Sequence, residues 1–216
     1  GLDGTGFSSA GWVSGGHQKR FEMVNADDIA LAARIDYDPF AGASFGASGY
    51  FGNTVNNRPK PDMTVDAHVA IVEGHVLYTN RPLTVRAMGI YGTLQNADLV
   101  SKANRNLSNN LNAKRTPVGS AALGWYVEAG YDIMSFFGPH TLSLDVFTRY
   151  EFYDTMAEVT GDIFDNPRWE RKTLTVGAMY RPLNPLVVKT AYAMRKIGTA
   201  TANEENTFAL GFGFEF

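Results

Sequence analysis

The feature that most constrains this chain is a period-two alternation repeated in nine segments, one side of each apolar and the other polar or charged. Alternation of this kind belongs to β-strands, whose successive side chains point to opposite faces. The segments are roughly ten residues long, the length a tilted strand needs to cross a bilayer.

In DDIALAARIDYD, Ile29, Leu31, Ala33, Ile35 and Tyr37 share one face, and Asp28, Arg34, Asp36 and Asp38 the other. ASFGASGYF sets Phe45 and Phe51 against Ser44, Ser48 and Tyr50. AIVEGHVLY is mixed: Ala70, Val72, Val76 and Tyr78 alternate with Ile71, Glu73, His75 and Leu77. LTVRAMGIY places Leu83, Val85, Ala87 and Tyr91 opposite Thr84, Arg86 and Met88.

The contrast sharpens in LGWYVEAGYDI, with Leu123, Trp125, Val127, Tyr131 and Ile133 against Tyr126, Glu128 and Asp132. LSLDVFTRYEFY opposes Leu142, Leu144, Val146, Tyr150 and Phe152 to Asp145, Arg149 and Glu151. TLTVGAMYR and VVKTAYAMR put Leu174, Val176, Tyr180, Val188, Tyr192 and Met194 on the apolar side and Arg181, Lys189 and Arg195 on the other. The last segment, NTFALGFGFEF, aligns Phe208, Leu210, Phe212, Phe214 and Phe216.

An Arg or Lys on the lipid face of a barrel costs about 2–4 kcal/mol at the bilayer midplane, so the charged face is expected to be the lumen. No run approaches the ~18 apolar residues of a transmembrane helix. The fold expected is an all-β antiparallel transmembrane β-barrel over 27–216, with 1–26 an extracellular loop segment. A soluble β-sandwich would also bury alternating aromatics, but has no need of short turns at one end and long loops at the other.

Tight turns are expected at Pro39–Gly42, Asn80–Pro82, Ser135–His140 and Pro182–Pro185, alternating with long polar connections. Short periplasmic turns and long extracellular loops are the barrel arrangement. If the chain ends in the periplasm, counting back nine strands leaves residues 1–26 outside. Closed single-chain bacterial barrels have an even strand number, so the chain is expected to be the C-terminal portion of a larger barrel. A complete ten-stranded barrel using FSSAGWVSGG as an extra strand is the competing count. The opening GLDGTGFSSAGW has neither basic nor apolar signal regions, so a mature or truncated exported protein is expected.

Leu99, Ala103, Leu107 and Leu111 recur every four residues, predicting a short amphipathic helix at the barrel mouth, more for loop packing than for recognition. GLDGTG follows no strand and lacks full GxGxxG spacing, so it reads as flexible loop. Tyr37, Tyr78, Tyr131, Tyr180 and Phe216 toward one end of the apolar face, and Phe51, Tyr91, Tyr150, Phe152 and Phe208 toward the other, read as interfacial girdles.

His17, His68, His75 and His140 have no zinc-site spacing, and the chain has no Cys, so neither a metal nor a cofactor is expected. No hydroxyl, histidine and carboxylate stand out as a catalytic set, so no enzyme activity is expected. A net charge of −3 argues against nucleic acid as a partner. The candidate pore-lining residues are Arg34, Asp36, Glu73, Arg86, Glu128, Asp132, Asp145, Arg149, Glu151, Arg181, Lys189 and Arg195, with Asp28, Asp38 and Glu215 as further acids on that face. Rings of such charges bias ion passage through a wet pore; equally, they can pair with one another and simply form a wet wall.

A final strand ending in Phe212, Phe214 and Phe216 resembles the signal by which barrel-assembly machinery recognises outer-membrane proteins. ALGWYVEAGYDI, RYEFYDT and TVGAMYRPLNPLVVKTAYAM resemble the C-terminal half of the phosphate-selective porin O/P family, over about residues 5–216. The resemblance implies a sixteen-stranded barrel, a homotrimer, and contact with outer-membrane lipid and lipopolysaccharide. Phosphate selectivity does not carry over, because the basic residues here are spread among more numerous acids. The expected function is passive diffusion of small hydrophilic solutes or ions. The alternative is a structural anchor that binds a partner through its long loops.

Overall fold

In a computed structural model the nine alternating segments form nine antiparallel strands of one sheet, each paired with its neighbours in chain order. They are β1 (Ala30–Phe40), β2 (Ala43–Asn53), β3 (His68–Asn80), β4 (Leu83–Leu94), β5 (Ala121–Asp132), β6 (Ser143–Glu158), β7 (Glu170–Leu183), β8 (Leu186–Ile197) and β9 (Glu204–Phe214). The structure describes residues 1–17, 26–57, 63–107, 115–138, 142–183, 185–199 and 203–214. Leu111, His140, Glu215 and Phe216 therefore lie outside the described residues.

The sheet is open: β1 and β9 each pair on one side only. Pro39 sits within β1 at the register shift between Tyr37 and Phe40, a bulge-like site where its missing N–H interrupts no pair with β2. No helix among the described residues is long and apolar enough to cross a membrane.

Register follows from the two-residue turns. Phe40 pairs with Ala43, Asn80 with Leu83 and Leu183 with Leu186, so these connections are as tight as the sequence predicts. Gly42 has φ +88° and its backbone carbonyl accepts from Thr79 N–H at 2.6 Å, a conformation and a close approach that suit only glycine. The third predicted tight turn is different. Between Asp132 and Ser143 the chain makes a 3-10 turn over Ile133–Phe137 and continues through Gly138, so Ser135–His140 is not tight. Asp132 drives this local structure by accepting from the Met134 N–H with its side chain.

Strand faces match the alternation. Cross-strand rows such as Tyr37–Phe45–Val76–Ala87–Val127–Tyr150–Leu174–Met194 are apolar throughout. The adjacent row Leu77–Arg86–Glu128–Arg149–Thr175 is largely polar. The apolar face is as exposed as the charged one, on which Arg34 and Arg86 are 60% and 55% exposed and several acids are more covered. On the apolar face Leu31 is 71% exposed, Phe212 73% and Val127 47%. On the charged face the Glu128 and Asp145 side chains are each 20% exposed and that of Glu73 14%.

The one hydrophobic core lies on the charged-face side, at the end with the longest connection. Phe7, Trp12 and Val13 pack with Val55, Met63, Ala67, Val69, Leu94, Ala97, Val100 and Val118, and against them lie Tyr50, Ile71 and Ala122. Tyr50, Ile71, Gly92 and Ala122 form one cross-strand row in the same alternation as Arg34 and Glu73. The N-terminal segment thus packs against the charged-face side of the sheet. Gly4 is buried, its N–H donating to the Thr54 carbonyl at 2.9 Å, so GLDGTG is a packed 3-10 turn and not the flexible loop its composition suggested.

The expected helix is present as α1 (Ala97–Asn106), but a different stripe is buried. Ala97, Val100, Ser101 and Asn104 face the core, Ala103 is partly covered, and Leu99 stays 39% exposed. Ala97 and Val100 carry the apolar packing of this stripe, and Asn104 within it donates its amide to the Gly4 carbonyl at 2.9 Å.

Candidate functional site

Three groups of side chains occupy the charged face, each set by register. On β1–β3, Arg34 stands across from Ser48 and Ser48 from Glu73, while Asp36, Gly46 and His75 form the next row. Arg34 grips Asp36 bidentately, with Nε–Oδ2 and Nη2–Oδ1 both 2.8 Å. His75 links this pair to the third strand: Nδ1 lies 2.8 Å from Glu73 Oε1, and Nε2 lies 3.1 Å from both Asp36 Oδ1 and Arg34 Nη2. The Ser48 hydroxyl donates to Glu73 Oε2 at 2.9 Å. With Nδ1 protonated, His75 donates to Glu73 and accepts from Arg34; with Nε2 protonated it donates to Asp36 instead.

On β4–β6, Arg86, Glu128 and Arg149 form a single cross-strand row of alternating sign. Glu128 is 3.5 Å from Arg86 and 4.0 Å from Arg149. Arg149 also binds Glu151 at 2.9 Å and lies 4.0 Å above the Tyr126 ring, a cation–π contact. Near the short-turn end, Asp132 and Asp145 stand directly opposite one another, two carboxylates in register. Arg81 binds Asp132 at 3.0 Å and Arg181 binds Asp145 at 2.8 Å, so each charge is neutralised from a different side.

Of the twelve candidate pore residues, ten belong to these three groups, and Arg195 and Lys189 lie outside them. Arg195 binds Glu205 at 3.3 Å, and the Lys189 ammonium lies 5.0 Å from the Phe147 ring centre with no ion pair among the described residues. Asp132 is the exception in kind. It is buried, and besides Arg81 it accepts from the Met134 and Leu144 N–H groups, so it organises the β5–β6 turn instead of facing open space. Asp28 likewise clamps a loop. Its carboxylate accepts from the N–H of Val55 and Asn56 and from the Asn56 amide, at 2.9–3.1 Å. Partial burial pushes its carboxyl upward, but these hydrogen bonds outweigh it and hold the group below its ordinary range.

Phe212 and Phe214 of the expected assembly signal are exposed on β9, and Phe216 lies outside the described residues. Sequence reasoning weighed His75 only as a metal ligand, although its parity already placed it among the charges. It also missed Ser48, Arg81 and Tyr126 as partners, because only register brings them into contact. Among the described residues no group of three or more His, Asp or Glu side chains is placed to hold a metal ion.

Above these groups the N-terminal segment forms an outer lobe stitched by contacts between distant residues. The Trp12 indole N–H donates to the Gly119 carbonyl at 2.9 Å, the Ser9 hydroxyl donates to Pro117 at 2.6 Å, and the Thr155 hydroxyl donates to Ser9. Arg115 donates to the Thr5 carbonyl. Gly92 makes the lobe's seat: a Cβ there would fall 2.2 Å from Trp12 Cη2, so the indole takes the space a side chain would fill. Beside this seat, between α1 and the β6–β7 connection, is a cavity of about 560 Å³.

No protein-family model matches the chain, and no curated protein matches it either.

Proposed function

We propose that this chain is the strand-forming part of an outer-membrane porin, with the charged face lining a water-filled lumen and the apolar face in lipid. The observation that carries the reading is the apolar face: large aliphatic and aromatic side chains stand exposed along all nine strands, while most of the charged side chains opposite are drawn into close pairs. A soluble protein seldom exposes an apolar patch beyond a few hundred Å². Lipid removes that cost. The strands run from 11 to 16 residues, enough to cross a bilayer, for which about 9–11 suffice.

Open edges in lipid leave N–H and C=O groups unsatisfied at several kcal/mol each. On this reading further strands dock on β1 and β9, and the likeness to the phosphate-selective porin O/P family supports sixteen in all and a trimer. The lumen carries both signs in close pairs, which favours a weakly selective passage for small hydrophilic solutes over a phosphate-specific one.

Planar-bilayer recording of the complete protein tests the proposal. Discrete channels of weak ion preference are expected, and replacing Arg86 and Arg149 together by Glu should shift the reversal potential toward cation preference. A correctly inserted protein that conducts nothing overturns it.

A further inference from the structure

The outer-lobe cavity has a chemistry of its own. Arg105 and Lys102 from α1 and Arg168 from the β6–β7 connection line it with Trp169 and Phe164, above a floor that includes Met156. Lys102 is engaged by Asp98 at 3.6 Å. Neither Arg105 nor Arg168 makes a side-chain hydrogen bond or ion pair among the described residues, and of the acids in the lining only Asp162 opposes them. Two cations against one acid leave the cavity net positive.

Two of its other polar groups are neutral donors, while the Ser9 and Ser101 hydroxyls are spent on the Pro117 and Ala97 carbonyls. The Thr116 hydroxyl, which accepts from Ser9 N–H, keeps its own proton for a ligand. Asn166 spends its carbonyl on the Arg168 N–H and leaves its amide N–H groups uncommitted. The volume of about 560 Å³ lies within the range of small-ligand sites, about 300–1,000 Å³. Guanidinium groups take carboxylates bidentately, flat aromatic rings take the C–H face of a sugar, and scattered neutral donors take hydroxyls.

We propose that this cavity binds an acidic sugar of one or two rings, its carboxylate held by Arg105 and Arg168 and a ring lying against Trp169. Apart from Met156 at the end of β6, the site is built from loop and helix residues, so it goes beyond the porin reading and does not rest on conduction.

Titration calorimetry and tryptophan fluorescence on the complete protein in detergent, with digalacturonate as the probe and lactose as the neutral control, test the assignment. Digalacturonate is expected to bind at least tenfold more tightly than lactose. R105Q and R168Q should each weaken it about tenfold while leaving lactose unchanged, and W169F should remove most of the fluorescence response. Equal affinity for the two disaccharides, digalacturonate binding indifferent to both arginine variants, or tighter binding of benzoate than of digalacturonate overturns the proposal. Both arginines are solvent-exposed, so their replacement leaves the fold intact, and a conducting or silent channel is a separate result.

Discussion

The seat of Trp12 on Gly92 makes a quantitative prediction about what holds the outer lobe against the sheet. Trp12 is 7% exposed and its indole N–H is satisfied by Gly119. Truncating a buried Trp to Ala costs about 3–5 kcal/mol, and at 1.4 kcal/mol per tenfold that multiplies the undocked population of the lobe by roughly two to nearly four orders of magnitude. Gly92→Ala attacks the same contact from below. Its methyl would sit 2.2 Å from Cη2 and 2.4 Å from Cζ3 of the indole. The ring is rigid and hemmed in by the core, so overpacking of about 1–3 kcal/mol is expected.

In W12A/G92A the methyl enters space the indole has vacated, so the double variant should be little worse than W12A, with a coupling of about 0.5–3 kcal/mol. Hydrogen exchange at the Gly4 amide, which bonds to the Thr54 carbonyl only when the lobe is docked, reads the opening free energy directly. Additive costs, or Gly4 protection unchanged by W12A, would refute the claim that this contact seats the lobe.

Other consequences can be checked on the same protein. Arg181→Gln should strand Asp145 opposite Asp132 and lower the detergent melting temperature, whereas R181Q/D145N should recover most of the loss, because the facing charges are then reduced together. Asp28 is held below its ordinary pKa, so its clamp on Val55 and Asn56 contributes fully above the unfolded carboxylate value of about 3.9 and is lost as pH falls through its lower folded value; D28N should abolish that acid-dependent step in proteolysis of the β2–β3 connection. Val127→Arg, on the exposed apolar face, should cost about 2–4 kcal/mol of folding stability in bilayers, while Thr175→Arg on the opposite face should cost far less; equal penalties would mean that Val127 does not face lipid.

How much of this was legible in the sequence depends on the range of each interaction. Strands announce themselves through alternation, which needs only local reading, and all nine segments are strands. Ion pairs two residues apart, such as Arg34 with Asp36 and Arg149 with Glu151, are equally local, since i and i+2 share a face. Arg86 with Glu128 required register, which turn lengths fix only for the two-residue hairpins. The outer lobe carried no readable signal. Phe7 and Trp12 sit in a Gly- and Ser-rich run without periodicity, and their partners lie about a hundred residues away, as with Ser9 and Pro117. The buried stripe of α1 departs from the leucine spacing: Ala97 and Val100 carry its packing, and Asn104, a polar residue, finds a carbonyl to bind.

If the chain is the porin proposed above, that distinction bears on where its selectivity would reside. Along the sheet, charges neutralise one another within a strand or across one register step, so a solute passing the wall meets short dipoles more than a sustained field. At the outer lobe the arrangement is different: among the described residues Arg105 and Arg168 have no ion-pair partner, and the long-range packing that places them is what alternation could not reveal. An unpaired cation acts more strongly on a passing anion than one already neutralised by a partner. Charge preference should therefore respond more to R105Q/R168Q than to neutralising any single wall pair such as Arg86 with Glu128. Reversal-potential measurements on the two variants, at equal ionic strength, decide between wall and lobe.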